Sequence, residues 1–110
     1  MNIDNITVIK RDGRKKEFAI ERIYDAINKS YKEVYKELTE EQLDDVYDIS
    51  RNVYIEIRNL NTTEIDVETI QDIVVKNIKN VDEVVAKAYQ KYRDERSRER
   101  SWKNKWFRWS

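Results

Sequence analysis

Cysteine, histidine and proline are absent from this 110-residue chain, and glycine occurs once. Without cysteine there is no disulfide, no thiolate nucleophile and no sulfur ligand for a metal. Without histidine the commonest general base and the commonest zinc ligand are missing. These absences argue against an enzyme. No apolar run approaches the ~20 residues of a membrane span. The opening, Met1 to Asp4, is polar, and the apolar residues after it are interleaved with charge, unlike a signal peptide. The expectation is a soluble, cytoplasmic protein with no membrane contact. What the chain does have is charge, at 40%, beside 39% hydrophobic residues. That mix, with almost nothing to break a helix, reads as long helices with polar outer faces in one domain.

The formal net charge of zero hides an asymmetry. Residues 91–110 hold eight Lys or Arg against three Asp or Glu; residues 1–90 hold fourteen against nineteen. Against that acidic body one stretch stands out. Lys10, Arg11, Arg14, Lys15 and Lys16 crowd around Asp12 and Gly13, with apolar residues on either side.

Along the chain, Ile6 and Val8 alternate with polar neighbours, Asp12-Gly13 signals a two-residue turn, and Phe18 and Ile20 resume the alternation. The pattern predicts a hairpin with strands near 5–11 and 15–19. From Ile20 the period changes to three and four, through Ile23, Tyr24, Ile27, Tyr31, Val34, Tyr35 and Leu38, as in an amphipathic helix. Thr39 with Gln42 fits a capping box and starts a second helix, whose stripe is Leu43, Val46, Tyr47, Val53, Ile57 and Leu60. Thr62 to Ile65 allows a short third strand. Asp66 then caps a third helix with Val67, Ile70, Ile73, Val74 and Ile78 inward. A break at 80–82 precedes a fourth helix carrying Val84, Val85, Ala88, Tyr89 and Tyr92, running to about Arg100. The fold class expected is α+β, a small hairpin or three-stranded sheet packed on a four-helix bundle.

Three features bear on function. The cationic hairpin suits a phosphate, since Arg offers paired hydrogen bonds and Lys a movable point charge; equally, its lysines would discourage edge-to-edge strand pairing. On the fourth helix, Lys87, Lys91 and Arg93 sit among Tyr89 and Tyr92. One edge of it could face the hairpin, or it could carry a ladder of ion pairs such as Asp94 with Arg98. Residues 101–110, SWKNKWFRWS, hold all three tryptophans interleaved with Lys103, Lys105 and Arg108. Such a segment can stack single-stranded bases, lie at a membrane surface or dock on protein; docking is the favoured reading.

VIKRDGRKKEF followed by AIERIYDAI resembles the opening of an ATP-cone, the regulatory nucleotide-binding module of ribonucleotide reductases. IDVETIQDIV and VAKAYQKYRDERSRER resemble its third segment and closing helix, in the right order. The style is most similar to the N-terminal cone of an anaerobic, class III, ribonucleoside-triphosphate reductase. The zinc-ribbon repressor of reductase genes also carries a cone, but its cysteines are missing here.

The resemblance implies a cone over residues 1–100 and a basic, Trp-rich tail over 101–110. It implies an allosteric module that binds ATP or dATP, with Mg2+, without hydrolysis, and controls a reductase. The chain itself would not be an enzyme. It would be an excised fragment of an anaerobic reductase or a free-standing cone. Lys10 and Arg11 would grip phosphates, with Arg22 adding a contact. Val8, Ile23 and Ile65 would line the adenine side, and Lys91 and Tyr92 would come from the last helix. Family members often carry an acid near the second strand, where this chain has Lys16 and Glu17; Lys16 joins the expected nucleotide-binding set. The partners implied are a reductase catalytic domain or subunit and a homo-oligomer, with nucleic acid unlikely. The alternative is a nucleic-acid-binding or protein-docking module working through the basic aromatic segment.

Overall fold

A computed structural model describes residues 6–95. The expected run of the fourth helix to about Arg100, the Asp94–Arg98 pair and everything said of 101–110 lie outside the described residues. Within them, strands β1 (Thr7–Ile9) and β2 (Lys15–Glu17) form the hairpin, shorter than the alternation suggested. The turn closes over Lys10 to Gly13, with Gly13 N–H donating to the Lys10 carbonyl at 2.9 Å and Lys10 N–H to that of Arg14 at 2.8 Å. Gly13 stands after the turn's centre at φ 86°, a backbone conformation that costs a side-chain-bearing residue about 1–2 kcal/mol. Helices α1 (Ile20–Tyr35) and α2 (Glu40–Asn59) follow, then β3 (Glu64–Asp66) and α3 (Val67–Lys79). A fourth helix, α4, is described over 83–95.

The sheet order is β2-β1-β3. Strand β1 runs antiparallel to β2 and parallel to β3, so Val8 stands opposite both Lys16 and Ile65. The parallel pair needs a long crossover, which α1 and α2 supply.

The four helices bury one stripe each against the sheet's inner residues. From α1 come Ile23, Ile27 and Tyr31; from α2, Val46, Ile49, Val53 and Ile57. α3 gives Ile70, Ile73, Val74 and Ile78, and α4 gives Val85, Ala86 and Tyr89. Ile6, Phe18 and Ile65 close the core from the sheet end. Two serines enter it at low cost. Ser30 and Ser50 each donate to a carbonyl of the preceding turn, of Ala26 at 3.0 Å and Val46 at 2.8 Å.

Several positions differ from the sequence pattern. Leu43 and Tyr47 of α2 and Leu60 at its C-cap are exposed, whereas Ile49 and Ser50 are buried. The buried stripe centres on Val46, Val53 and Ile57. Tyr47 lies roughly 100° round the helix from Val46, on the flank of that stripe, while Leu43 and Leu60 sit at the ends of α2. Val84, in the first turn of α4, and Tyr92 are likewise exposed. Helix ends differ as well. Thr39 forms both bonds of the capping box with Gln42. Asp66 occupies the N-cap position of α3 but its side chain caps nothing. Asp82, read only as a break, does the capping for α4: its Oδ1 accepts from the N–H groups of Val84 at 3.0 Å and Val85 at 3.2 Å.

Candidate functional site

The five cations of the hairpin do not share one fate. Arg14 Nε lies 2.6 Å from Asp12, Lys15 Nζ 3.0 Å from Glu64, and Arg11 Nε 2.5 Å from Glu68. Asp12 also accepts the Arg14 backbone N–H, and that bond with the guanidinium holds its carboxyl below the usual carboxylate range. Three charges are thus spent inside the protein. Lys10 and Lys16 remain, and among the described residues no carboxylate lies within ion-pair distance of either, nor of Arg22.

Those three cations line a single cavity of about 210 Å³. Strand geometry brings two of them there. Side chains two apart share a face, so Val8 and Lys10 on the β1 side and Lys16 and Phe18 on the β2 side point the same way. Arg22, Ile23 and Ala26 come from the first turns of α1. Val67, Ile70, Gln71 and Val74 come from α3, spaced three and four apart along one face. Tyr89 of α4 and Glu17 complete the wall. The cations repel one another. The Lys16 amine is pushed below its ordinary value by desolvation first, then by Arg22 and Lys10.

Two helix starts add to the positive field. α1 begins after Ala19 and α3 after Asp66, both without a side-chain cap. Ala19 and Val67, at these starts, border the cavity. Helix N-termini carry a partial positive charge and free N–H groups, so cations and dipoles here point to one kind of guest. The walls otherwise are apolar, apart from Glu17 and Gln71. Gln71 Oε1 is a buried acceptor with no hydrogen-bond partner among the described residues, an arrangement that costs free energy until a donor meets it.

Behind the cavity α4 is clamped to α3. Arg93, with 11% of its side chain exposed, donates to Asp72 at 2.9 Å and Glu68 at 2.7 Å. Burial works against its charge, but the two carboxylates prevail and hold its pKa raised. Glu68 thereby joins Arg11 of the hairpin to Arg93 of α4. Tyr89, one turn earlier, has its hydroxyl pKa pushed up to about 12 by burial.

Of the expected nucleotide-binding residues, Val8, Lys10, Lys16, Arg22 and Ile23 line this cavity. Arg11, Ile65, Lys91 and Tyr92 are not among its walls. Arg11 is engaged by Glu68, Ile65 is buried in β3 beside Val8, and Lys91 and Tyr92 are exposed on α4. Sequence reasoning missed Gln71, which carries no motif, and read Val67, Ile70 and Val74 as core alone; Tyr89 belongs to the helix edge that the sequence suggested could face the hairpin, and it does line the cavity. Among the described residues no group of acidic side chains is arranged to hold a metal ion, and no helix is long and apolar enough to cross a membrane.

Residues 6–98 match the family model described as the ATP cone domain. Among curated proteins the chain is similar to a transcriptional repressor, NrdR, of Fervidobacterium nodosum, with 29% identity over 93 residues. NrdR of Bacillus cytotoxicus is 28% identical over 93 residues. Both alignments cover 81% of this chain and 58% of the relative, so the chain spans little more than half the length of either.

Proposed function

We propose, from the premise that this chain belongs to the ATP-cone family, that the cavity between the hairpin, α1, α3 and α4 is its nucleotide site and that ATP and dATP compete for it. The observation that carries this is the set of three cations without carboxylate partners among the described residues, Lys10, Lys16 and Arg22, around one apolar-walled cavity. The polyphosphate lies along these cations and the starts of α1 and α3. The cavity is smaller than the ~300–1,000 Å³ that encloses a whole ligand. The base therefore enters, against Phe18, Ile23 and Ile70, while sugar and phosphates lie at the open rim. Gln71 Oε1 is the acceptor for an N–H of the base. Mg2+ arrives on the phosphates, because the wall's single carboxylate, Glu17, is too little to hold it.

The nucleotide is bound and released intact, and the output is regulatory. One output is control of a ribonucleotide reductase, with the chain as a cone of the anaerobic class. The names of the relatives favour a second, nucleotide-dependent control of transcription. They give no support to the expectation that nucleic acid is an unlikely partner. On this second reading the basic segment 101–110 or a further part of the protein would meet DNA.

Calorimetric titration with ATP and dATP tests the reading. Three charge-assisted contacts at about 1.5–3 kcal/mol each reach roughly micromolar affinity. Heat of binding with one nucleotide per chain and no phosphate release is expected. No heat from either nucleotide at millimolar concentration would overturn it. In a parallel arm, salt-dependent retention of single-stranded DNA that is lost on truncation after Arg100 would favour the second output.

A further inference from the structure

A second and larger cavity, about 400 Å³, opens as a groove between α1 and α2. α1 gives it Ile20, Glu21, Tyr24 and Asp25, and gives the nucleotide cavity Arg22, Ile23 and Ala26. At 3.6 residues per turn these two sets fall on opposite sides of the helix. From α2 come Tyr47, Ser50, Arg51 and Tyr54, spaced three and four apart along one face. Ser50 is the buried member of the set. Its side chain is small, and its hydroxyl is already given to the Val46 carbonyl at 2.8 Å. It therefore leaves room and offers a guest no donor.

Three tyrosine rings border this one space. Tyr24 and Tyr47 stand with ring centroids 5.9 Å apart and planes at 71°, and Tyr47 is left 68% exposed. Rings at that angle make the corner of a box, which suits a compact, rounded group better than a flat one. Tyrosine faces attract cations, and boxes of such rings take quaternary ammonium groups. The charged residues of the wall are of both signs. Glu21 and Asp25 stand at the α1 edge and Arg51 at the α2 edge, and none of the three forms an ion pair among the described residues. Arg51 follows Tyr47 by four residues and precedes Tyr54 by three, which places it ~5–6 Å from each between Cβ atoms.

We propose that the groove binds a betaine, a trimethylammonium group joined by a short aliphatic linker to a carboxylate. The ammonium sits among the tyrosine rings, beside Glu21 and Asp25. The carboxylate accepts paired hydrogen bonds from the Arg51 guanidinium, and a linker of a few carbons spans the one helical turn between the two. The volume falls within the ~300–1,000 Å³ of pockets that enclose a small ligand. The same walls turn other guests away. Two carboxylates against one guanidinium repel a triphosphate, so this is no second nucleotide site. Arg51 repels a polyamine. An ammonium without methyl groups is strongly hydrated and gives up more water to enter a tyrosine-walled space.

Three matched probes test the assignment on the labelled full chain, followed by amide correlation spectra. γ-Butyrobetaine carries both groups, γ-aminobutyrate lacks the methyls, and butyltrimethylammonium lacks the carboxylate. γ-Butyrobetaine should give saturable shifts at residues 20–25 and 47–54, and each of the other two should bind about tenfold more weakly or worse. Arg51→Gln should weaken γ-butyrobetaine to the level of butyltrimethylammonium and leave the latter unchanged. Tyr47→Ala should weaken both trimethylammonium probes, and Tyr47→Phe should retain them. Both positions are exposed, so the helical circular dichroism of the variants should match the parent. The absence of saturable shifts at these residues with millimolar γ-butyrobetaine would overturn the proposal. So would γ-aminobutyrate binding as tightly as γ-butyrobetaine, or equal losses of the two trimethylammonium probes in Arg51→Gln.

Discussion

Replacing Lys10 and Arg22 by alanine together should weaken ATP and dATP binding by about 100- to 10,000-fold. Two charge-assisted contacts are removed, each worth about 1.5–3 kcal/mol, and 1.4 kcal/mol is tenfold in affinity. The fold should not suffer. Neither cation has a described carboxylate partner to abandon, and their removal relieves the repulsion that, after desolvation, adds to the lowering of the Lys16 pKa. The melting temperature without ligand should therefore hold steady or rise while calorimetric affinity collapses. Arg11→Ala should weaken binding less than Lys10→Ala, because the Arg11 guanidinium is already held by Glu68 at 2.5 Å. A double variant that binds dATP as well as the parent would remove phosphate from this cavity.

The second large effect is on stability and contrasts Ile57 of α2 with Leu60 at the helix's C-cap, two residues that the sequence pattern treats alike. Ile57 is fully buried, and Leu60, three residues on, is 49% exposed. Ile57→Ala should cost about 2–5 kcal/mol, the transfer of the lost atoms plus the cavity they leave. For a domain of this size that is a large share of the ~5–15 kcal/mol total, and each kcal/mol lowers the melting temperature by about 4–8 °C. Leu60→Ala should stay within about 0.5 kcal/mol, as surface changes do. Urea melts of the two variants decide it. Equal losses would place Leu60 in the core after all.

The contrast marks where sequence reasoning reached and where it stopped. The hairpin was legible because glycine at a turn and alternation with period two are local signals. So was the capping box of Thr39 and Gln42, which needs only four residues. The stripe of α3, and that of α1 as far as Val34, were legible for the same reason, whereas Tyr35 is exposed and Leu38 lies beyond the end of α1. The stripe of α2 was not read correctly. It is flanked by Leu43 and Tyr47, which are apolar and near the right angle, so only the positions of α1 and α3 decide which flank is covered. Asp66 against Asp82 shows a similar limit. Both precede a helix, but only Asp82 turns its oxygen onto the first amides.

For the candidate site the limit is sharper. That the hairpin carries five cations is plain in the sequence; which of them are free is not. Lys15 finds Glu64 and Arg11 finds Glu68 only because β3 pairs with β1 and α3 follows it. That contact spans some fifty residues of chain. Gln71 and Tyr89 line the cavity from helix faces whose apolar spacing is the same whether the face meets a neighbour or a void. The resemblance to a family named Val8, Lys10, Arg22 and Ile23. The fold brings them to one wall and shows what stands opposite.

The most direct measurement is an amide correlation spectrum of the labelled chain titrated with dATP. Expected are shifts concentrated at residues 8–10, 16–19, 22–26, 67–74 and 89, the walls of the cavity under the hairpin, with the α1–α2 groove around Tyr47 little affected. Shifts confined to residues outside those walls, with Lys10, Lys16 and Arg22 unmoved at saturating nucleotide, would contradict a purine triphosphate held by these three cations.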